Sequence, residues 1–102
     1  MKFYIAGKIT GDPNYKKKFK YAEKKLKSKG HSIMNPAALG DYKEFTWIDY
    51  MAVTHEMQKR CDAVLMLEDW KDSRGATKEF EYAKALKQEI YYDLEDVPIQ
   101  EV

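Results

Sequence analysis

The sequence predicts a small α/β domain in which a parallel sheet is covered by helices on both faces. Short apolar segments alternate with longer segments whose apolar residues recur at helical spacing, which is typical of such a sheet. The strand segments are apolar almost throughout, as in 63–67, so both of their faces are expected to be buried. Right-handed crossovers then favour a doubly wound sheet of four strands, or five, in the order 2-1-3-4.

The positions of the elements follow from apolar spacing and from the residues at their ends. Apolar stretches bounded by turn residues mark the strands, and apolar residues three and four positions apart mark the helices. In chain order, we expect strand 2–6, helix 14–29, strand 31–34, helix 46–60, strand 62–67, helix 73–87 and strand 89–92.

In the first half of the chain, glycines mark the ends of elements. A glycine-bearing turn over 7–13 follows the first strand, and Gly30 ends the first helix as a natural C′ residue. The second strand closes at Asn35 and Pro36, and a loop over 37–45 follows. The apolar stripe of the first helix consists of Tyr15, Phe19, Ala22 and Leu26.

In the second half, the helix 46–60 places Ile48, Ala52 and His55 on one face. Ser73 is expected to cap the third helix, because a serine side chain can accept a hydrogen bond from a free N–H group of the first turn. The inward stripe of that helix consists of Ala76, Phe80 and Ala83, and an acidic tail over 93–102 ends the chain.

The composition predicts one small globular domain spanning 1–102. With 102 residues, of which 44% are hydrophobic, the chain can build one core and no second one. The sequence contains no run of about 18 apolar residues, so no membrane span is predicted. The N-terminus does not resemble a signal peptide. The single Cys61 excludes an internal disulfide, which suits a cytoplasmic protein. Because His31 and His55 lack metal-ligand spacing, no metal site is expected.

Charge is distributed unevenly along the chain. Residues 1–30 have a balance of +8 and residues 31–102 a balance of −7, within a net charge of +1. A lysine-rich half is compatible with nucleic-acid binding, for which salt-sensitive association would be the test. The lysines surround the apolar stripe of the first helix, however, and no aromatic stacking platform lies among them. We therefore interpret them as a solvated helix face and expect no nucleic-acid partner.

Two loops are expected to meet where the winding of the sheet reverses, between the first and third strands. The first loop, 7–12, offers Gly7 and Gly11 for close backbone approach, and Lys8 and Thr10 as hydrogen-bond donors. It is neither a Walker loop nor a three-glycine dinucleotide fingerprint. Alone, it is as consistent with an ordinary turn as with a ligand site.

The second loop, 68–75, leads into the third helix. Gly75 would let a ligand approach the free N–H groups at the helix start, and Arg74 could fork onto a phosphate. Trp47 and Trp70 could each cover a base, although a tryptophan is more often a packing residue. The sequence therefore predicts a phosphate site at the start of this helix, with an ordinary capped helix as the alternative.

Glu79 is the candidate acid. It lies about one and a half turns into the third helix, where a carboxylate could stabilise or trap an oxocarbenium-like glycosidic carbon. The helix N–H groups and Lys78 or Arg74 are expected to keep it ionised near neutral pH. Tyr4 on the first strand is the expected partner that orients it. A solvated surface glutamate and a core tyrosine are the alternatives.

Several of these motifs together resemble the nucleoside 2-deoxyribosyltransferase superfamily. The sequence is most similar to its small branches, the 2′-deoxynucleoside 5′-monophosphate N-glycosidases and an uncharacterised group frequent in phages and bacteria. The resemblance covers nearly the whole chain up to Tyr92. The matching motifs are Tyr4–Gly11, Asn35–Pro36, Cys61–Val64 and Ser73-x-Gly75-x-x-x-Glu79-x-x-x-Ala83.

The resemblance implies a flavodoxin-like fold and a hydrolase that cleaves the N-glycosidic bond of a (deoxy)nucleoside 5′-monophosphate without a cofactor. It implies that Glu79 is the nucleophile, that Tyr4 orients it, and that Ser73 and Gly75 contact the 5′-phosphate. It also implies a homodimer or a larger homo-oligomer. The candidate substrate contacts are Gly7, Lys8, Ile9, Thr10, Gly11, Asn35, Asp69, Trp70, Ser73, Arg74 and Gly75.

One position departs from the family pattern. The aspartate that assists the leaving base in the family is replaced by Thr54 here, which puts catalysis in question. The candidate substitutes are His55, Glu56, Asp69 and Asp72. The C-terminal asparagine segment of the transferases has no counterpart, so hydrolysis is expected rather than transfer. The alternative is a non-catalytic protein that binds a nucleotide in order to sense or sequester it.

Overall fold

The strands form one parallel sheet in the order β2-β1-β3-β4, which confirms the predicted topology. They are β1 (Lys2–Ala6), β2 (Ser32–Met34), β3 (Ala63–Met66) and β4 (Glu89–Tyr91). These features are those of a computed structural model that describes residues 1–100. Within that range the sheet has four strands and no fifth.

Three α-helices cover the sheet: α1 (Tyr15–Ser28), α2 (Trp47–Lys59) and α3 (Arg74–Ala85). All three predicted helices are confirmed, with ends no more than two residues from the expected positions. Part of the predicted loop 37–45 belongs to a 3₁₀ turn, Pro36–Leu39. No helix formed by residues 1–100 is both long and apolar enough to cross a membrane.

Helix α1 covers one face of the sheet. Phe3 and Ile5 of β1 point towards it and form a core with the buried residues of α1. Burying a phenylalanine or leucine side chain contributes about 1.5–3 kcal/mol, so this seam is a main source of stability. Gly30 has a φ of +90° and follows the C-cap of α1, as predicted for a C′ glycine. The buried residues of α1 are Phe19, Ala22 and Leu26.

The lysine face of α1 is largely solvated, but two lysines turn back onto the protein. Lys18 forms an ion pair with Asp12, 2.6 Å between Nζ and Oδ2, and a second ion pair with Asp69. Lys29 donates a hydrogen bond to the carbonyl of Val97, at 2.9 Å. These contacts give the charged face a role in holding neighbouring loops.

The predicted acidic tail, 93–102, packs against the core over part of its length. Val97 is 3% exposed and joins the cluster between α1 and the sheet. The backbone N–H of Gln100 donates to the carbonyl of Lys29, at 2.7 Å. Residues 101 and 102 of the predicted tail lie outside the described residues.

Helices α2 and α3 lie over the opposite face of the sheet. Because side chains alternate along a strand, Tyr4 and Ala6 of β1 point to this second face. They pack there with Val64 and Met66 of β3 and with Ala83 of α3. Tyr4 is fully buried, and it brings the only hydroxyl group of this cluster into the core.

The buried face of α2 is polar. Its buried residues are Thr54 and Gln58, at 7% and 0% exposure, one turn apart. The face with Ile48, Ala52 and His55 is not the inward one, since Ile48 is 73% exposed. The reason is that α2 packs where α3 buries a carboxyl group, and only polar side chains can provide hydrogen bonds there.

Candidate active site

The loops that follow β1 and β3 lie side by side at the carboxyl edge of the sheet. The N–H of Leu67 donates to the carbonyl of Ala6 at 2.8 Å, and the N–H of Lys8 donates to Asp69 Oδ1 at 3.1 Å. Between these loops, α2 and α3 lies a cavity of about 120 Å³. A cavity of that order holds about one small ring, since an apolar cavity of about 150 Å³ accommodates benzene.

Glu79 lines this cavity and is not a surface glutamate. Its side chain points from α3 towards β1, and the residue is only 6% exposed. The hydroxyl of Tyr4 donates a hydrogen bond to Oε2 of Glu79. A solvated surface glutamate is therefore excluded, whereas Tyr4 is both a core residue and the hydrogen-bond partner of this carboxyl group.

Burial raises the pKa of Glu79 to about 8, although hydrogen bonding with Tyr4 and Thr54 lowers it. The expectation that Lys78 or Arg74 would keep this carboxyl group ionised is wrong. Both cations are exposed, and neither contributes to the pKa of Glu79. The carboxyl group is therefore mostly protonated at neutral pH, because desolvation outweighs the hydrogen bonds that favour its charge.

Tyr4 is a neutral hydrogen-bond donor at neutral pH. Burial raises the pKa of its hydroxyl well above 10, and the nearby Glu79 raises it further. A neutral phenol has one O–H to give, and Glu79 is the acceptor that this geometry supplies. The Tyr4 hydrogen bond thus fixes one oxygen of Glu79, a residue that lines the cavity.

Thr54 lines the cavity beside this pair. Its hydroxyl lies 3.3 Å from the carbonyl oxygen of Met51 and also faces Glu79 and Tyr4. A threonine hydroxyl has no acidity near neutral pH, so it can donate a hydrogen bond but cannot serve as a general acid. The position at which the family pattern has an aspartate is therefore within the site, but without its acid function.

None of the four candidate substitutes for that aspartate lines the cavity. The ring of His55 stacks on Tyr82 with 4.5 Å between centroids, and Glu56 is exposed near Arg60, 3.7 Å between Oε2 and Nη2. Asp69 is held by Lys18 and by the backbone of the first loop. The fourth candidate, Asp72, is exposed.

The start of α3 forms another wall. Ser73 caps the helix by accepting a hydrogen bond from the N–H of Ala76 at 3.1 Å, as predicted. A methyl group added at Gly75 would lie 3.3 Å from Sδ of Met51 and 3.8 Å from Nε1 of Trp47. A side chain at position 75 would crowd Met51, so the glycine allows α2 to pack closely against the start of α3, and Gly75 itself lines the cavity.

Arg74 lies at the edge of the cavity and does not line it. Its guanidinium group stacks over the ring of Trp47, with 4.1 Å from Cζ to the ring centroid, while Trp47 itself lines the cavity. Such stacking holds the charge near the start of α3 without burying it.

The first loop contributes only some of its predicted contacts. Gly7, Ile9 and Thr10 line the cavity, whereas Lys8 and Gly11 do not. Gly7 is required for packing, since a methyl group there would lie 2.8 Å from Cδ1 of Leu67.

Two other predicted contacts have local structural roles outside the cavity. Asn35 accepts a hydrogen bond from the N–H of Ala37 at 2.9 Å and so caps the 3₁₀ turn after β2. Trp70 packs on Phe80, with 4.6 Å between ring centroids. The structure thus places neither of them where a ligand in the cavity would touch them.

The outer wall of the cavity was not predicted from the sequence. Asp41 and Tyr15 line it together, with the Tyr15 hydroxyl 3.0 Å from both carboxylate oxygens of Asp41. Tyr50 and Met51 of α2 also line it. The topology could have indicated this wall, because the loop after β2 leaves the sheet at the same edge as the other two loops. Among residues 1–100, no three side chains of His, Cys, Asp or Glu lie together as a metal site requires.

A family model described as "Domain of unknown function (DUF4406)" matches residues 1–92. The chain belongs to this family. No curated protein matches the sequence.

This member of the DUF4406 family shares its fold with 2-deoxyribosyltransferases of known structure. The enzyme from the psychrotolerant bacterium Bacillus psychrosaccharolyticus matches with a TM-score of 0.69 and 18% identity, over 88% of this chain and 69% of that one. The enzyme from Leishmania mexicana matches with a TM-score of 0.68 and 20% identity, over 87% of this chain and 61% of that one. At such identities the likeness shows a common fold, and this chain spans about two thirds of their length.

Replacing the cap of α3 is expected to destabilise this DUF4406 protein. Ser73→Ala removes the acceptor for the N–H of Ala76 and should lower the free energy of unfolding by about 1 kcal/mol in urea denaturation. Ser28→Ala is the control, because Ser28 bonds only to the carbonyl of Lys25 at the exposed end of α1. Equal losses in the two variants would contradict the capping role.

Proposed function

We propose that the protein hydrolyses the N-glycosidic bond of a (deoxy)nucleoside 5′-monophosphate, with Glu79 as the nucleophile. The observation that carries this proposal is the buried Glu79, bonded by Tyr4 and exposed on one side to a ring-sized cavity. A carboxylate held against a sugar ring is the group that glycoside cleavage requires.

The walls of the cavity support an assignment of the three parts of such a substrate. The sugar would occupy the cavity beside Glu79, since the cavity holds about one ring. The phosphate would lie at the start of α3, where Ser73 and Gly75 line the cavity and helix N–H groups favour an anion. The base would extend towards Trp47 and Tyr50 at the outer wall.

The reaction would proceed in two displacements at C1′ of the sugar. The ionised carboxylate of Glu79 attacks C1′, the C1′–N bond breaks, and the base departs with the bonding electron pair and takes up a proton from solvent. Water then adds to C1′ and gives up a proton to solvent, the ester bond to Glu79 breaks, and the carboxylate is regenerated. Tyr4 holds one oxygen of Glu79 in both steps, which limits the motion of the nucleophile.

The protonation state of Glu79 would limit the rate. With a pKa of about 8, roughly a tenth of the molecules carry the ionised nucleophile at pH 7. The second candidate function, nucleotide binding without catalysis, is favoured by this protonation and by Thr54, whose hydroxyl lines the cavity but cannot serve as a general acid.

A measurement of base release tests the proposed function. The purified protein is incubated with each common ribo- and deoxyribonucleoside and with its 5′-monophosphate, and free base is measured by chromatography. Release of base from monophosphates, and less from nucleosides, is the expected result. Formation of a new nucleotide on adding a second base would indicate transfer. Nucleotide binding without release would identify the non-catalytic function.

A further inference from the structure

Gln58 is a fully buried polar residue with no place in the chemistry described above. It lies on α2, is 0% exposed, and faces α3. Its Nε2 donates to the main-chain carbonyl of Glu79 at 2.8 Å and to Oε1 of Gln88 at 3.2 Å. Burying an amide is costly unless it is hydrogen-bonded. Here Nε2 is bonded to the residue that carries the candidate nucleophile, whereas the buried Oε1 has no hydrogen-bond partner among the described residues.

The orientation of both amides is fixed by main-chain acceptors. Gln88 Nε2 donates to the carbonyls of Gln58 and Cys61, at 2.7 and 2.9 Å, so its Oε1 must face Gln58. Rotating the Gln58 amide by half a turn would place its oxygen against two oxygen acceptors. The Gln58–Glu79 hydrogen bond is therefore a determined contact and not one of two equivalent arrangements.

This hydrogen bond is additional to what the helix needs. A carbonyl inside an α-helix already accepts the N–H group four residues ahead, so Glu79 requires no second donor to be satisfied. The hydrogen bond from Gln58 therefore links α2 to α3 at residue 79. Thr54, one turn earlier on the same face of α2, faces the side chain of Glu79. One helix face thus contacts both the backbone and the carboxyl group of this residue.

We propose that Gln58 is a positioning residue that sets the place of Glu79 against the cavity. The inference rests on the proposed function of Glu79 as a nucleophile. Gln58 touches no part of the cavity itself, so it would act on the rate of the chemical step and not on the binding of a nucleotide. A misplacement of about 1 Å at a reacting group can cost on the order of 100-fold in rate.

The test compares Gln58→Met with Gln88→Met. Each variant removes one amide of the same hydrogen-bonded pair and keeps a side chain of similar length, but only the first removes the bond to Glu79. We expect Gln58→Met to lower kcat by about 10- to 100-fold with KM within about twofold of the native value. Gln88→Met should reduce thermal stability while kcat stays within about threefold. Equal effects of the two variants on kcat would overturn the inference.

A second measurement separates this inference from the proposed function. The carboxyl carbon of Glu79 is titrated by ¹³C NMR in the native protein and in both variants. A midpoint moved by about half a pH unit or more in Gln58→Met alone would support positioning even if no base is ever released. Midpoints that move equally in both variants would refute it. If Gln58→Met does not fold, Gln58→Asn takes its place, because it keeps an amide that is one methylene too short to reach Glu79.

Discussion

Glu79→Gln is expected to abolish base release, with a loss in kcat of about 1,000-fold or more. The amide has nearly the shape of the carboxyl group and can still accept the Tyr4 hydrogen bond, so the fold and the cavity should be retained. It cannot form the glycosyl ester, however, because an amide oxygen is a far weaker nucleophile than a carboxylate. The measurement is single-turnover release of base from the best monophosphate found in the substrate panel.

Glu81→Gln is the matched control for this variant. Glu81 lies two positions further along α3, is exposed, and pairs with Lys84 at 3.2 Å between Oε2 and Nζ. The rate of base release by Glu81→Gln should stay within about twofold of the native rate, since exposed ion pairs of this kind contribute little to stability. If the Glu79 variant retained native activity, Glu79 could not be the nucleophile, and another group would have to attack the sugar.

The second large effect concerns stability at alkaline pH. The folded protein raises the pKa of Glu79 from an ordinary 4.5 to about 8, so the folded state holds a proton that the unfolded state has lost. The contribution of Glu79 to the free energy of unfolding is therefore greatest below about pH 4.5. This contribution is lost as the pH rises to about 8. Glu79→Gln carries no such ionisation and should escape the loss.

We expect the Glu79→Gln variant to be more stable than the native protein at pH 9, by on the order of 4 kcal/mol, and similar to it at pH 4.5. Urea denaturation of both proteins at several pH values measures the difference. Glu81→Gln should show no such trend, because its carboxyl group is exposed. Parallel pH profiles of native and Glu79→Gln proteins would show that Glu79 titrates in the fold as it does in the unfolded chain.

These two predictions together describe a conflict between function and stability at one residue. Burying Glu79 beside Tyr4 prepares a nucleophile in a water-poor cavity but makes its ionised form unfavourable. A protein selected for stability alone would carry a neutral side chain at this position. Gain of stability together with loss of activity in the same variant would be the signature of a functional carboxyl group.

Much of the fold was predictable because its determinants are short-range. Alternating apolar segments give the strands and helices, and the handedness of crossovers gives the strand order that is observed. Gly30 and Ser73 mark helix ends through backbone conformation and capping, which depend only on near neighbours. The meeting of the 7–12 and 68–75 loops follows from the same topology, since parallel strands end at one edge.

The inward face of α2 was not predictable in this way. Apolar spacing draws attention to Ile48 and Ala52, yet the helix buries Thr54 and Gln58 instead. A polar residue is favoured at a buried position only when a hydrogen-bond partner lies next to it in the folded protein. That partner, Glu79 on α3, is remote in the sequence.

The topology, the capped start of α3 and the candidate pair Tyr4 and Glu79 could therefore be predicted from the amino-acid sequence. The protonation of Glu79 at neutral pH, the failure of Lys78 and Arg74 to oppose it, and the place of Asp41 in the outer wall became visible only in the folded protein. The two sets of features differ in the range of the interactions on which they depend. Burial patterns depend on the spacing of apolar residues that are close together in the sequence. The desolvation of a carboxyl group depends instead on every residue that packs around it, including a tyrosine 75 residues away.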